Sequence, residues 1–246
     1  MIVFALFALG TATAQDFKGW YAGVNLGGAF GHSHVTTTTV FSPTGYFATT
    51  SVPAIAAAGN NILQPTRLTG GFQGGFNIQN GNWVFGLEAD MGSMHLNDAS
   101  ISGATYPCCS PTAFTINQSI STSWLFTAAP RVGFAHGPVL LYGTGGLAVT
   151  DLNYQSVFND TFATAHENGG VVNNTRGWVY GGGIEFKTSK HWSLKGEFVR
   201  VDFGSVTAKS TNLTAFSPPI AFPTNVFTHT ADLNANIFRA GASFYF

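Results

Sequence analysis

The sequence predicts an all-β fold: an eight-stranded antiparallel up-and-down barrel that turns its apolar face outward, toward lipid. Three observations carry this. The first is composition. Of 246 residues only 9% are charged, against roughly a quarter in ordinary soluble domains, while 45% are hydrophobic, 14% aromatic and 30 are glycine. Such a chain cannot cover a water-facing surface of normal polarity. Its longest apolar run, Met1–Leu9, nevertheless falls well short of the ~20 residues that a membrane helix needs. The second observation is strict two-residue alternation in eight segments, the mark of a strand with two unlike faces. The third is the rhythm of the connections, which run short and long in turn.

Composition also excludes other classes. The hydrophobic and aromatic content contradicts disorder. A net charge of −1 with no Lys/Arg cluster leaves nucleic-acid binding without an electrostatic footprint. The two cysteines, Cys108 and Cys109, are adjacent, which rules out a disulfide framework or a four-ligand zinc site.

Residues 1–14 read as an apolar stretch followed by Ala12-Thr13-Ala14, the small-x-small pattern of a cleaved secretory signal peptide, though without its basic leading region. Cleavage there would leave a mature barrel domain, residues 15–246.

The first segment, Trp20–Gly31, sets Trp20, Ala22, Val24, Leu26 and Phe30 against Tyr21, Gly23, Asn25, Gly27 and Ala29. The second, Leu68–Gln79, sets Leu68, Phe72, Phe76 and Ile78 against Thr69, Gln73, Asn77 and Gln79, and Asn80-Gly81-Asn82 follows as a tight-turn signal. The third sends Trp83, Phe85, Leu87, Ala89 and Met91 outward, with Glu88 and Asp90 inward. In the fourth, Trp124, Phe126, Ala128, Val132 and Phe134 oppose Thr127, Arg131 and Gly133. Pro130 there cannot donate to a ladder, so a local bulge is expected.

After His136-Gly137-Pro138, the fifth segment, Val139–Thr150, places Val139, Leu141, Leu147 and Val149 outward. The sixth presents Trp178, Tyr180, Ile184 and Phe186 outward, with Glu185 and Lys187 inward. The seventh, beyond the turn at Thr188–His191, presents Trp192, Leu194 and Phe198 outward, with Lys195 and Glu197 inward. The eighth sets Phe238, Ala240, Ala242, Phe244 and Phe246 against Arg239, Gly241, Ser243 and Tyr245.

Short connections at 80–82, 136–138 and 188–191 alternate with long ones at about 32–67, 92–122, 151–176 and 204–232. In an up-and-down barrel this gathers four long loops at one end, and three short turns with both termini at the other. Segments of ~9–12 residues suffice for a tilted membrane crossing. A soluble barrel would show the reverse polarity, whereas here the strand charges share a face with Gly, Ser, Thr, Asn and Gln. Trp83 and Trp192 each open a strand after a short turn and Phe246 closes one, which predicts an aromatic girdle at the short-turn interface.

Several stretches carry a family resemblance: Gly19-Trp20-Tyr21-Ala22-Gly23, Arg131-Val132-Gly133-Phe134, Leu141-Tyr142-Gly143-Thr144-Gly145-Gly146, Gly183-Ile184-Glu185-Phe186, Trp192-Ser193-Leu194-Lys195-Gly196-Glu197-Phe198 and the terminal Phe244-Tyr245-Phe246. In order and spacing the mature chain resembles the small eight-stranded outer-membrane barrels of Gram-negative bacteria, the OmpA-like, porin-family surface antigens. The resemblance implies an outer-membrane location, short periplasmic turns, external loops and a structural or surface role. It also implies that Phe238, Phe244 and Phe246 form the signal read by the barrel-assembly machinery, to which a terminal strand can pair edge-on. Where the family usually carries an aromatic residue this chain has Arg200, facing outward near the outer interface, where it can snorkel to headgroups.

Measured from the short-turn end, Glu88, Arg131, Glu197 and Arg239 stand at similar heights and point inward. An eight-stranded barrel is only wide enough to be filled by side chains, so these four predict a salt-bridged plug rather than a channel.

The other chemistry-bearing residues point to no catalysis. His191 and Ser193, with Glu197 nearby, have the His-x-Ser order of an outer-membrane lipid A deacylase, but at the wrong end of the barrel. His32 and His34 lack a third ligand in their segment, and Cys108-Cys109 can form a strained vicinal disulfide or stay free. No cofactor is expected. The long loops carry Phe41, Tyr46, Phe47, Phe114, Phe158, Phe216, Phe222 and Phe227, which either meet an extracellular ligand or host surface or pack on one another. The reading is a monomeric, non-enzymatic barrel, embedded in outer-membrane lipid, that supports the envelope and displays loops. A narrow small-solute channel and loop-mediated adhesion are the alternatives.

Overall fold

In the computed structural model the described residues are 16–246; the expected signal segment lies outside them. The elements in chain order are β1 (Gly19–Thr39), α1 (Ser51–Ala58), β2 (Asn61–Leu63), β3 (Thr66–Asn80), β4 (Trp83–Ser93), β5 (Asn97–Thr105), β6 (Ala113–Ser121), β7 (Trp124–His136), β8 (Val139–Asp160), β9 (His166–Lys187), β10 (Trp192–Ser210), β11 (Thr214–Ala215), β12 (Ile220–Ala221) and β13 (Phe227–Tyr245). The strands form one antiparallel sheet. Within it β1, β3, β4, β7, β8, β9, β10 and β13 pair in turn, and β13 returns to β1 to close a ring. Gly81 and Gly137, at φ 59° and 57°, let the β3–β4 and β7–β8 turns take the left-handed conformation that side chains resist.

The thirteen strands exceed the eight alternating segments because the long connections are themselves ordered. β8 and β9 run on as one hairpin to Asp160 and His166, through most of what sequence assigned to the third loop. The second long connection folds into the β5–β6 hairpin, whose β6 pairs with the upper part of β8. The first holds α1 and β2, and the fourth holds β11 and β12.

The strands outrun their segments for a reason visible in β13. Toward its short-turn end Phe238 and Ala240 are exposed, while Arg239 and Ser243 are buried. Above Phe238 the polarity of the two faces exchanges: Ala231, Leu233, Ala235 and Ile237 are buried, and Thr230, Asp232, Asn234 and Asn236 look out. The same exchange occurs in β10, where Val199, Val201 and Phe203 turn in, and in β8, where Leu152, Tyr154 and Phe158 do. A strand half with apolar residues outside suits hydrocarbon; a half with them inside suits water. Reading only apolar-outward alternation therefore stops where the polarity inverts.

The expected bulge at Pro130 does not form. The β4–β7 register runs unbroken through Leu87↔Pro130. The ladder to β8 lapses at Ala129 and Pro130 and resumes at the same register, so skipping bridges, with no inserted residue, accommodates the missing donor. A register shift instead separates Asp202 from Ser205 in β10, where Gly204 has φ 64°.

Candidate functional site

The interior at the level of the apolar outer belt is a cluster of four carboxylates and three cations: Glu88 and Asp90 from β4, Glu185 from β9, Glu197, Lys195, Arg131 and Arg239. Inward alternation places them there, since each sits between exposed apolar neighbours on its strand. Arg239 reaches Glu197 at 2.5 Å, Asp90 at 2.9 Å and Glu88 at 4.0 Å. Lys195 stands 2.7 Å from Glu88 and 3.9 Å from Glu197. Arg131 lies 3.0 Å from Glu185 and 3.5 Å from Glu88.

The structure thus brings Glu88, Arg131, Glu197 and Arg239 into one cluster, together with Lys195, Glu185 and Asp90. Alternation shows that these three face inward but not that they join the network, because long side chains bridge positions of different height.

Neutral groups complete the shell. Tyr21, Tyr142 and Tyr245 donate hydroxyl hydrogen bonds to Glu88, Glu197 and Glu185 at 2.7, 2.9 and 2.7 Å. Ser193 donates to Glu185 at 2.6 Å, and Asn25 to Asp90 at 2.5 Å. The Arg131 guanidinium lies over the Tyr21 and Tyr142 rings, 4.6 and 5.2 Å from their centroids. Room for these rings comes from glycine: a Cβ at Gly75 or Gly183 would collide with the Tyr21 or Tyr142 hydroxyl. The tyrosines alternate inward in the sequence, but nothing in their spacing reveals which carboxylate each one meets.

Apolar layers lie on both sides of the cluster. At the short-turn end the segment before β1 folds into the mouth of the barrel, and Phe17 is fully buried against Tyr21, Val84, Leu140 and Tyr245. Asn77 donates to the Phe17 carbonyl at 2.9 Å, and Gln79 accepts from the Phe17 N–H at 2.8 Å. Lys187 lies over the Tyr245 ring at 3.8 Å. Above the cluster, Leu125, Leu152, Val179, Val201, Leu233 and Ile237 share one buried apolar core.

Higher still, a polar layer joins Thr37, Ser156, Gln118 and His229 to Glu167, whose carboxylate lies 3.1 Å from His229 Nε2. An aromatic cap covers it. Phe47, Phe114, Phe158 and Phe227 are buried against one another with ring centroids 5.4–5.8 Å apart. Tyr46 and Tyr106 both donate to Asp160, at 2.5 and 3.0 Å. Burial and the adjacent Asp160 carboxylate push both phenols well above their ordinary range. Of the loop aromatics, Phe41 and Phe216 keep substantial exposure.

The remaining candidates are dispersed. His191 binds the Tyr245 backbone rather than Ser193. His34 Nε2 pairs with Asn60 at 2.6 Å, and among the described residues no group of three His, Cys, Asp or Glu could hold a metal ion. Cys108 and Cys109 are bonded to each other at a loop tip beside Ser51. Trp83, Trp192 and Phe246 are all exposed at the short-turn rim. Trp20 joins them, also exposed, its ring tilted 48° against that of Phe76 with centroids 5.0 Å apart.

An apolar belt around a paired, polar interior, closed by antiparallel strands, defines an integral β-barrel. The chain belongs to the outer membrane protein beta-barrel domain family, which matches residues 1–246. It is 28% identical over 138 residues to a 31 kDa outer-membrane immunogenic protein of Brucella melitensis, covering 55% of this chain and 53% of that protein. It is 29% identical over 143 residues to a 22 kDa outer membrane protein of Rhizobium leguminosarum biovar viciae, covering 56% of each. The matches therefore span about half the length of these curated relatives. Among solved structures, Neisserial surface protein A aligns over 93% of this chain and 98% of its own, at 10% identity and a TM-score of 0.38. The attachment invasion locus protein Ail of Yersinia pestis aligns over 94% and 100%, at 13% identity and a TM-score of 0.33. Family and relatives place this protein in the cell outer membrane.

Proposed function

We propose that the chain is a closed, non-enzymatic outer-membrane barrel that supports the envelope and holds a rigid cap outside the cell. Eight strands cross the membrane, with the short turns in the periplasm and the long connections outside. From Trp192 to Arg200 is eight residue steps. At ~3.3 Å per residue and a tilt near 40°, these rise about 20 Å, on the scale of the ~25 Å apolar band of such barrels.

The observation that carries the reading is the filled lumen. The ion cluster lies between the buried Phe17 floor and the apolar core containing Leu152 and Leu233. An ion following the axis would have to displace side chains at each layer. Reconstituted in planar bilayers, the folded barrel is expected to give no unitary conductance steps. Reproducible steps would replace this reading with that of a narrow small-solute channel.

The outward tip favours a surface-contact role beside the structural one. Phe41, Phe162, Phe216 and Ile220 stay exposed on a cap whose centre of Phe47, Phe114, Phe158 and Phe227 is buried, an arrangement that suits contact with an extracellular surface. Replacing the long connections with short turns should abolish any such adhesion and leave the barrel heat-modifiable on gels.

A further inference from the structure

The sequence holds two cysteines, and they are neighbours, Cys108 and Cys109. They are bonded to each other in the turn between β5 and β6. A disulfide stabilises a fold chiefly by closing a loop of chain, and its effect grows with the length of that loop. A bond between adjacent residues closes none and joins no two elements. It is therefore not a structural staple of the cap.

The turn is held by other means. The Cys109 N–H donates to the Tyr106 carbonyl at 3.2 Å, the Thr112 N–H to the Cys109 carbonyl at 3.0 Å and the Tyr106 N–H to the Thr112 carbonyl at 2.9 Å. The Thr112 hydroxyl donates to the same Cys109 carbonyl, and the buried Tyr106 donates its hydroxyl to Asp160 at 3.0 Å. None of these bonds involves sulfur, so the sulfur–sulfur bond can open while the turn keeps its shape.

The two cysteines also differ in access. Cys108 is exposed, as are Pro107 and Ser110 around it. Cys109 is half-buried against the apolar cluster that includes Tyr106 and Phe114. Ser51, buried at the start of α1, sets its hydroxyl 3.8 Å from the Cys108 sulfur and tethers it in place. Exposed disulfides are the exchangeable ones, and access decides which sulfur is attacked.

We propose that Cys108–Cys109 is a thiol-capture site. An incoming thiol, as its thiolate, attacks the Cys108 sulfur. A new sulfur–sulfur bond forms to Cys108, the bond to Cys109 breaks, and its electron pair leaves on the Cys109 sulfur. Cys109 then takes up one proton, matching the one lost by the incoming thiol. One disulfide is exchanged for another, so no outside oxidant or reductant is consumed. Cys109 stays beside the mixed disulfide and, by attacking Cys108 in turn, releases the captured thiol and restores the starting bond. The partner's chemistry is a thiol, on a small molecule or on a protein cysteine. That the site faces the cell exterior rests on the placement given under Proposed function; the exchange itself does not.

The test uses the whole barrel refolded in detergent without oxygen. Reduced glutathione is one probe, and a small folded protein with a single exposed cysteine is the other. Acid quenching stops the exchange, and mass spectrometry of the chain and its peptides locates the adduct. The wild type is expected to gain one adduct, on Cys108, and a new thiol at Cys109. Cys108→Ser and Cys109→Ser, with no disulfide to open, should gain none. Towards glutathione disulfide the remaining thiol of Cys109→Ser should react severalfold faster than that of Cys108→Ser, because exposure favours it. Heat-modifiable migration reports that each variant is folded.

Uptake of glutathione alone would support a small thiol as the partner, and uptake of the protein probe alone a protein cysteine. No adduct with either probe, or two cysteine thiols in the chain as purified from membranes, would overturn the site. An adduct on Cys109 would overturn the assignment of the attacked sulfur. On intact cells the protein probe reaches Cys108 only from outside. Capture by the refolded barrel but not by cells would overturn the placement and leave the exchange standing, so the two failures are distinguishable.

Discussion

Lys195 Nζ lies 2.7 Å from Glu88 Oε1, although their strands, β10 and β4, are four steps apart in either direction around the ring. A direct contact between opposite walls means the lumen has no free bore at that height. It also makes the pair a cross-brace, whereas Glu197 and Arg239 are merely directly opposed on adjacent strands.

Breaking that brace on one side should cost more than removing it whole. Four carboxylates face three cations, so Lys195→Met leaves Glu88 and Glu197 short of positive charge in a dry interior. A loss of about 3–5 kcal/mol is expected, part of which Glu88→Gln should restore in the double variant. Urea unfolding of the four species in lipid vesicles would give a coupling energy on the order of 1–3 kcal/mol. Strict additivity would show that the two residues do not act as a pair.

Arg131 tests geometry rather than charge. Its Nε donates to Asn77 at 2.9 Å and its Nη2 to the Tyr245 hydroxyl at 3.3 Å, while the plane lies over two tyrosine rings. Lysine keeps the charge but loses the fork and the stacking. Arg131→Lys should lower stability by about 2–3 kcal/mol, the scale of one or two charged hydrogen bonds. A urea midpoint indistinguishable from wild type would mean that any cation at this position serves.

The eight apolar-outward segments and the inward charges were legible because alternation reports faces directly. Trp20, Leu87 and Phe238 read as outward and are exposed; Glu88 and Arg131 read as inward and are buried. Partnerships were not legible. Which acid Lys195 meets depends on ring closure, and Phe17, which precedes the first alternating segment, is placed by the Asn77 and Gln79 hydrogen bonds. The upper strand halves escaped for a third reason. Val199, Val201, Leu233 and Ile237 alternate as regularly as the lower residues but with faces exchanged, so a search for one polarity treats them as loop.

The cap should open independently of the membrane-spanning part. Phe158 is fully buried between Phe47, Phe114 and Phe227, so Phe158→Ala should cost about 3–5 kcal/mol of local packing. Limited proteolysis should then cut the connections around residues 40–50 and 211–226, leaving a heat-modifiable core. Unchanged protease resistance would show that the cap does not depend on its aromatic centre.

Alkali should loosen the same cap. The Tyr46 and Tyr106 phenols are raised above the ordinary value of 10.0 by burial and by Asp160. In the opened cap they would ionise near that ordinary value, while in the closed cap they remain neutral. Their contribution is therefore fully present below about pH 10 and declines as pH rises beyond it. Protease sensitivity of the cap should climb above that pH in the wild type and climb less in Tyr46→Phe/Tyr106→Phe. An identical alkaline profile in the double variant would remove these two groups as its cause.

The height at which the strand faces exchange polarity should coincide with the edge of the hydrocarbon, and arginine placed on the outer surface can locate it. Leu87 is exposed in the middle of the apolar belt, while Asn234 lies outward above the exchange on β13, bonded to Arg200 at 3.0 Å. An arginine at the bilayer midplane costs ~2–4 kcal/mol, and one near the interface ~0–1. Leu87→Arg should slow folding into vesicles and lower stability by the larger amount. Thr230→Arg, higher on the outer face of β13, should change neither. If both substitutions behave alike, the inversion seen in β8, β10 and β13 is a feature of the barrel's interior packing and does not mark the lipid boundary.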